Sequence, residues 1–184
     1  GQDLMRTVGD IVRQYKKAIK EFPDYHGRIY VNIDDTGLGG GVTDRLREVK
    51  REDKLSRLYV VPINAAEKIE TDTKAGKDAA EHYNNLTTHM WAVLKDLMEN
   101  QEIEIEEDSE TFAQLSSRKY FLASNGKLEL ESKKEMKKRG LDSPDRGDAA
   151  ALSVYLGKIK KYTGSAPNQA NTDGLGKSSY WKNR

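Results

Sequence analysis

The sequence predicts an α/β fold in which helices flank a small sheet. Two short runs rich in β-branched and aromatic residues, "RIYVNI" and "LYVVPI", have the composition of buried strands. Segments with a helical period follow both runs along the chain, which favours a sheet with helices packed on it. The pair Asn125-Gly126 lies between two further strand-like arms and indicates a β-hairpin.

Length and composition favour one soluble domain. The chain has 184 residues, of which 33% are charged, and it contains no stretch near the roughly 20 apolar residues that a membrane helix needs. Cysteine is absent, which excludes disulfides, thiol nucleophiles and zinc–thiolate sites. We predict a domain over residues 1–162 and a disordered tail over residues 163–184, where Gly, Ser, Asn and Pro occur without a period.

The first half of the chain is predicted to alternate helix and strand. Apolar residues recur at helical spacing from Leu4 to Phe22, and Pro23 ends this first helix. A strand over residues 28–33 then runs into two acids and a glycine-rich turn, and a second helix follows over "VTDRLREV". The second strand is "LYVVPI", and the polar residues 64–76 are predicted to form a loop.

The second half is predicted to hold a long helix, a hairpin and two further helices. An amphipathic stripe predicts the long helix over residues 83–98, and the alternation in "QEIEIEE" predicts an edge strand with its acids outward. The hairpin spans "SRKYFLASNGKLELESKK", where Asn125-Gly126 favours a type I′ turn. The last two helices are expected over residues 133–139 and from Pro144 to about residue 162.

One pair of carboxylates follows the first strand. Asp34 and Asp35 come at the C-terminal end of that strand, where open α/β sheets place ligand-handling groups. The run "TGLGGG" lacks the Lys-Ser or Lys-Thr of a phosphate-binding loop, and acids repel phosphate unless a metal intervenes. Four glycines keep side-chain bulk away from this edge and let backbone approach a ligand closely: Gly37, Gly39, Gly40 and Gly41.

A second pair of acids opens the last predicted helix. Ser143 is a favourable N-cap and Pro144 a favourable first helical residue, so Asp145 and Asp148 should lie on one face of the first turns. One interpretation is that acids simply stabilise a helix N-terminus, by about 0.3–1 kcal/mol each. The other is that both pairs of acids converge to bind magnesium or manganese. Two such ions about 4 Å apart can promote phosphodiester cleavage.

Charge is unevenly distributed along the chain, although the net charge is only +1. Residues 99–110 hold seven acids and no base, whereas residues 118–139 hold eight bases and three acids. A basic face of this kind is typical of proteins that bind polyanions, but a solvated charged surface has the same composition.

Two segments, "RIYVNIDDTGLGGGVTDRL" and "ESKKEMKKRGLDSPDRGDAAAL", resemble motifs of the C-terminal nuclease domain of tailed-bacteriophage and prophage terminase large subunits. The resemblance covers residues 3–162. It implies an RNase H-like fold, with a mixed sheet flanked by helices and a β-hairpin. It also implies a metal-dependent endonuclease that cuts concatemeric double-stranded DNA during genome packaging, by two-metal hydrolysis with Mg²⁺ or Mn²⁺.

The resemblance extends to individual positions. In the family's middle motif, the acid before the T-G-x-G turn corresponds to Asp34, with Asp35 as the neighbouring candidate. The S-P-D-x-x-D-A motif assigns the late metal-binding acid to Asp145 first and Asp148 second. The hairpin and the basic run after it are implied to contact DNA through Lys127, Lys133, Lys134, Lys137, Lys138 and Arg139.

The chain departs from the family at its start. The family carries its first catalytic acid on the opening strand of the sheet, whereas this chain begins with the helix expected after that strand. We therefore predict that the first strands, the first metal ligand and the ATPase domain are missing, since no Walker A sequence occurs. Cleavage by this chain alone should then be weak or absent. The implied partners are a portal protein, a small terminase subunit and that ATPase domain, in the cytoplasm of a bacterial host.

Two alternatives stay open. Another RNase H-like nuclease, such as a Holliday-junction resolvase, would prefer branched over linear DNA. A non-catalytic DNA-binding or packaging-motor interaction module would bind DNA with a steep salt dependence and without a divalent ion.

Overall fold

A computed structural model describes residues 2–36, 39–105 and 107–155. They belong to two units, residues 1–65 and residues 66–184, which are described separately below. The predicted disordered tail, residues 163–184, lies outside the described residues. In the described part of the chain, no helix combines the length and apolar character needed to cross a membrane.

The first unit is a β-α-β arrangement with a helix in front of it. Its elements are α1 (Gln2–Glu21), β1 (Ile29–Asp34), α2 (Gly39–Glu52) and β2 (Leu58–Ile63). Strands β1 and β2 pair in parallel, from Ile29 opposite Leu58 to Asp34 opposite Ile63. All four elements were predicted, although α2 begins at Gly39, before the expected "VTDRLREV".

The core of the first unit lies between the two helices and one face of the strands. Val8 and Tyr15 of α1, Leu46 of α2, and Ile33 and Leu58 of the strands are buried there. Side chains alternate across a strand, so burial of Ile33 turns the next residue to the opposite side. The carboxylate of Asp34 is consequently exposed at the end of β1.

The described residues of the second unit form five helices and a hairpin. Its elements are α3 (Lys74–His82), α4 (Leu86–Glu99), α5 (Ser109–Ser117), β3 (Tyr120–Leu122), β4 (Leu128–Leu130), α6 (Lys133–Lys138) and α7 (Asp145–Ser153). Helix α7 packs against α4 and α5, and β4 packs against α4. The predicted α/β fold is therefore confirmed, with the described strands forming two separate two-stranded sheets.

Side-chain caps explain where the helices of the second unit differ from prediction. The expected loop over residues 64–76 ends early because Thr73 accepts a hydrogen bond from the Gly76 amide and starts α3. The expected helix over residues 83–98 begins only at Leu86, since Asn85 caps it. The prediction of a strand at "QEIEIEE" is wrong for its described residues, 101–105 and 107. Asp108 instead caps α5, which was not predicted.

The predicted hairpin is confirmed, but its turn differs. Strands β3 and β4 are antiparallel, and the Gly126 amide donates to the Ala123 carbonyl. A type I′ turn requires positive φ at both central residues, whereas Asn125 is not among the residues with positive φ. Gly126 alone takes the left-handed conformation, at φ 77°, as in a three-residue hairpin connection. The Asn125 side chain is fixed because its amide donates to Asn84 Oδ1 at 2.9 Å.

His89, on α4, lies in an aromatic environment within the second unit. The rings of Tyr83 and Tyr155 have centroids 5.3 and 6.0 Å from that of His89. Its Nδ1 atom is buried and makes no hydrogen bond within the described residues. Burial lowers the pKa of His89 from 6.5 to about 4, because the charged imidazolium is poorly solvated there.

The low pKa of His89 predicts a loss of stability in mild acid. Below pH 6.5 the unfolded chain takes up a proton that the folded chain does not bind until about pH 4. Stability is thus full above pH 6.5 and is lost as the pH falls towards 4, by about 3 kcal/mol at most. Urea unfolding of the full chain should show this loss, and His89→Phe should reduce it. A variant with the same pH profile as wild type would contradict this role for His89.

Candidate functional site

The two acids at the end of β1 have different surroundings. Asp34 is exposed, and its Oδ1 atom accepts hydrogen bonds from the Thr36 amide at 3.2 Å and hydroxyl at 2.8 Å. Asp35 Oδ1 accepts from the hydroxyl of Thr43, a buried residue of α2, at 2.9 Å. The amide of Asp35 donates to the Ile63 carbonyl and extends the pairing with β2. Asp35 therefore anchors α2 to the strand end. By contrast, Asp34 Oδ2 accepts no hydrogen bond from another described residue.

The first turn of α2 approaches the backbone of Asp34 closely. A Cβ atom built on Gly39 would lie 1.6 Å from the Asp34 carbonyl oxygen. A Cβ atom on Gly40 would meet only Asp35 Oδ1, at 3.8 Å. The sequence predicted that glycines permit close backbone approach at this edge. At Gly39, the close approach is made by the protein's own strand end.

The start of α7 differs from the predicted capping. Pro144, rather than Ser143, is the N-cap residue, and no side chain caps the helix. The Ser143 hydroxyl donates to Asp145 Oδ1 at 2.6 Å instead. Asp145 lies in the first turn, as predicted, and Asp148, which was expected one turn further on, lies in the first turn as well. The helix ends at Ser153, so the expected continuation to residue 162 is wrong for the described residues 154 and 155.

Asp148 is held by donors from three other elements. Its Oδ1 atom accepts from Trp91 Nε1 at 2.9 Å and from Arg118 Nη1 at 2.7 Å. Its Oδ2 atom pairs with Lys133 Nζ at 2.9 Å. The Arg118 side chain is only 5% exposed, and its guanidinium lies 4.9 Å from the centroid of the Trp91 ring. Asp148 thus neutralises a buried cation and satisfies a buried indole N–H.

Lys133 joins Asp145 to Asp148. Its ammonium lies 3.3 Å from Asp145 Oδ1 as well as 2.9 Å from Asp148 Oδ2. Burial alone would lower the pKa of Lys133, but the bonds to Asp148 and Asp145 raise it above its ordinary value. The hydroxyl of Ser143, and then the ammonium, hold the pKa of Asp145 below its usual range. At neutral pH the two carboxylates therefore share one cation, and 77% of the Asp145 side chain is exposed.

The basic residues predicted to contact DNA fall into two groups. Lys127, Lys133 and Arg139 are engaged inside the second unit: Lys127 Nζ donates to the Ala80 carbonyl, and Arg139 donates to Glu131 and to the Ser117 carbonyl. The second group consists of Lys134, Lys137 and Lys138, which are exposed on α6. None of these lysines forms an ion pair with another described residue.

Within each unit, the structure brings the predicted acids together in pairs. Across residues 2–36, 39–105 and 107–155, no three His, Asp or Glu side chains come close enough to one another to hold a metal ion. The sequence analysis did not identify Arg118 or Trp91 as partners of the acids. A buried tryptophan needs a hydrogen-bond acceptor for its indole N–H, so a partner for Trp91 could have been expected from the sequence. Nothing in the sequence identified Asp148 as that acceptor.

An apolar groove of about 600 Å³ lies beside Trp91 in the second unit. Its lining includes Leu94, Met98, Phe112 and Tyr120. The charged residues of the lining are already paired, Lys95 with Glu99 at 2.6 Å and Arg118 with Asp148 at 2.7 Å, so the groove offers little to a metal ion or a phosphate. The chemistry that the sequence predicts is therefore better supported by the acids than by the groove.

Comparison with solved structures identifies the fold. The chain is similar to the nuclease domain of the large terminase subunit gp2 of bacterial virus Sf6, a lysine-to-alanine variant with manganese and beta-thujaplicinol. The TM-score is 0.55 and the identity 18%, over 69% of this chain and 65% of that chain. The same variant domain with manganese gives a TM-score of 0.55 and 18% identity, over 69% and 66%.

The chain thus spans less than two thirds of the length of either solved domain. Neither the protein-family models nor the curated protein sequences give a match. At this identity the likeness establishes the fold. The resemblance seen in the two sequence motifs is thereby confirmed at that level: the chain has the RNase H-like α/β fold of a phage terminase nuclease domain.

Proposed function

We propose that this chain is a metal-dependent endonuclease domain that cleaves double-stranded concatemeric DNA in a phage packaging terminase. The observation that carries the proposal is the pair Asp145 and Asp148, whose carboxylates hold a single cation, the Lys133 ammonium, between them. A site that stabilises one positive charge has the donor chemistry that a hard divalent cation requires. The likeness to a nuclease domain solved with manganese supports the same assignment.

In this proposal the acids bind Mg²⁺ or Mn²⁺. Within the second unit the candidate ligands are Asp145 first and Asp148 beside it, and within the first unit they are Asp34 and then Asp35. When bound, two such ions would activate a water molecule and stabilise the leaving oxygen. Asp148 Oδ1 is occupied by Trp91 and Arg118, so this carboxylate would offer Oδ2, from which Lys133 must first withdraw. Lys134, Lys137 and Lys138 would bind DNA phosphates.

The proposal also includes partners and location. By likeness to the terminase domain, the substrate is double-stranded DNA, and the portal protein, small subunit and ATPase domain are expected partners in the bacterial host cytoplasm.

Manganese titration by calorimetry tests the metal site in the full chain. We expect saturable binding by wild type, and weaker binding by Asp34→Ala and by Asp145→Ala, because each removes an oxygen ligand. Lys133→Met should bind manganese several-fold more tightly, because it removes a cation that competes for Asp145 and Asp148. Arg45→Met, on α2, is the matched control and should bind like wild type.

Binding that survives unchanged in both Asp variants would contradict the proposed ligands. A second candidate function, a non-catalytic DNA-binding module, is favoured by one observation: Asp148 already has a structural role in binding Arg118 and Trp91. This function predicts DNA affinity that does not depend on manganese and falls steeply with salt.

A further inference from the structure

Three cations of the first unit lie against tyrosine rings where β1 and β2 begin. The guanidinium of Arg28 is 4.8 Å, and the ammonium of Lys50 4.4 Å, from the centroid of the Tyr59 ring. The guanidinium of Arg57 is 5.6 Å from the Tyr25 ring. These five residues form what we call the tyrosine–cation cluster. It lies at the opposite end of β1 from Asp34.

Further contacts fix the positions of the cluster. The Tyr59 ring packs against Tyr30, with centroids 5.7 Å apart. Arg57 Nε donates to the Gly27 carbonyl at 3.1 Å, and its Nη2 donates to the Tyr25 carbonyl. The Tyr25 hydroxyl donates to the Arg28 carbonyl at 2.9 Å. The cluster is therefore built before any ligand binds, which lowers the entropy cost of binding.

The tyrosine rings orient Lys50 and Arg57 without cancelling the charge of either side chain. Elsewhere on α2, Arg45 pairs with Glu48 at 2.8 Å and with Glu52 at 3.4 Å. By contrast, neither Lys50 nor Arg57 forms an ion pair in the described part of the chain. A tyrosine ring attracts a cation through its quadrupole and leaves the net charge in place. The cluster consequently presents fixed positive charge on a partly exposed surface.

We propose that the tyrosine–cation cluster is a second DNA-binding site that contacts the phosphodiester backbone, and this rests on the proposed nuclease function. The ring faces are covered by cations, which favours phosphate contact over base stacking. Arg28 and Asp34 are six residues apart, which corresponds to about 20 Å of extended strand. Phosphates of one DNA strand rise about 3.4 Å per nucleotide along the helix axis, so on DNA aligned with β1 the cluster would contact a phosphate about six nucleotides from the acids at the end of β1.

DNA binding by the full chain, measured against salt with calcium replacing manganese to avoid cleavage, tests this site. The Arg28→Ala/Lys50→Ala double variant should lose about tenfold in affinity for duplex DNA, and its salt slope should fall by about 2. Arg45→Ala is the matched control, since its charge is already paired, and should bind like wild type. Arg28→Lys/Lys50→Arg keeps both charges and should restore most of the affinity, which separates charge from folding.

The outcomes distinguish this inference from the function on which it rests. If wild type binds DNA and the double variant binds with the same affinity and slope, the cluster is not a DNA site, while the nuclease function stands. If Lys137→Ala/Lys138→Ala weakens DNA binding while the cluster variant does not, DNA contact is confined to α6 and the inference is wrong. Displacement of DNA by polyglutamate as effectively as by unlabelled duplex would assign the cluster to an acidic protein and overturn the phosphodiester assignment.

Discussion

Asp148→Ala is expected to lower the free energy of unfolding by about 3 kcal/mol. The substitution leaves Arg118, whose side chain is 5% exposed, without its carboxylate. It also leaves the N–H of Trp91, which is buried, without an acceptor. Removing one member of a buried ion pair is costly because the remaining charge cannot return to water. Urea unfolding followed by tryptophan fluorescence measures the effect.

Two variants serve as controls for Asp148→Ala. Asp145→Ala should cost no more than about 0.5 kcal/mol, because the Asp145 side chain is 77% exposed and its contacts are screened by water. Asp148→Asn keeps an acceptor for Trp91 but removes the charge opposite Arg118, so its cost should be intermediate. An Asp148→Ala variant as stable as Asp145→Ala would show that the network around Arg118 contributes little to folding.

The expected difference in stability between Asp148→Ala and Asp145→Ala determines how a loss of activity in either variant should be interpreted. An inactive Asp148→Ala variant would be explained by disturbed packing of α4 and α7 as readily as by a lost metal ligand. Asp145 carries no such structural role, so its substitution reports on the proposed chemistry more directly. The two acids are three residues apart in the sequence, yet only one of them is tied to the core of the second unit.

The first unit was predicted well because its signals are local. The apolar stripe of α1 and the β-branched runs of β1 and β2 each specify an element within a single segment. The errors in where α3, α4 and α5 begin come from single capping residues. Asp108 starts α5 directly after "QEIEIEE", whose alternation is equally compatible with a strand and with an extended loop. The capping side chain of Asp108 thus determines where a helix begins, whereas the alternating pattern before it does not distinguish a strand from a loop.

For the candidate site, the sequence predicted only what the spacing of the two acids along the chain determines. The three-residue separation of Asp145 and Asp148 predicted that both acids lie at the start of one helix, as observed. Their partners lie far away in the sequence: Trp91 is 57 residues from Asp148, and Arg118 is 30. No periodicity or motif links such positions, because the contacts form only when α4 and α5 pack against α7.

Gly39→Ala is expected to destabilise the first unit by about 3 kcal/mol. The new methyl group would lie 1.6 Å from the Asp34 carbonyl oxygen, so either α2 or the end of β1 must move. Backbone atoms cannot rotate away as a flexible side chain can, which makes this clash costly. The movement would also displace the Asp34 carboxylate, so manganese binding should weaken along with stability. Urea unfolding and the manganese titration measure the two effects.

Gly40→Ala provides the matched control, one residue further along the same helix. Its methyl group would approach only Asp35 Oδ1, at 3.8 Å, so we expect it to be neutral or to stabilise α2 by about 0.5–1 kcal/mol through helix propensity. Equal stability of the two variants would contradict the close approach at Gly39. A large difference between them would mean that glycine is needed at position 39, where helix and strand backbones meet beside Asp34, and not at position 40. The run would then serve to position a carboxylate, whereas a phosphate-binding loop would require backbone donors along its whole length.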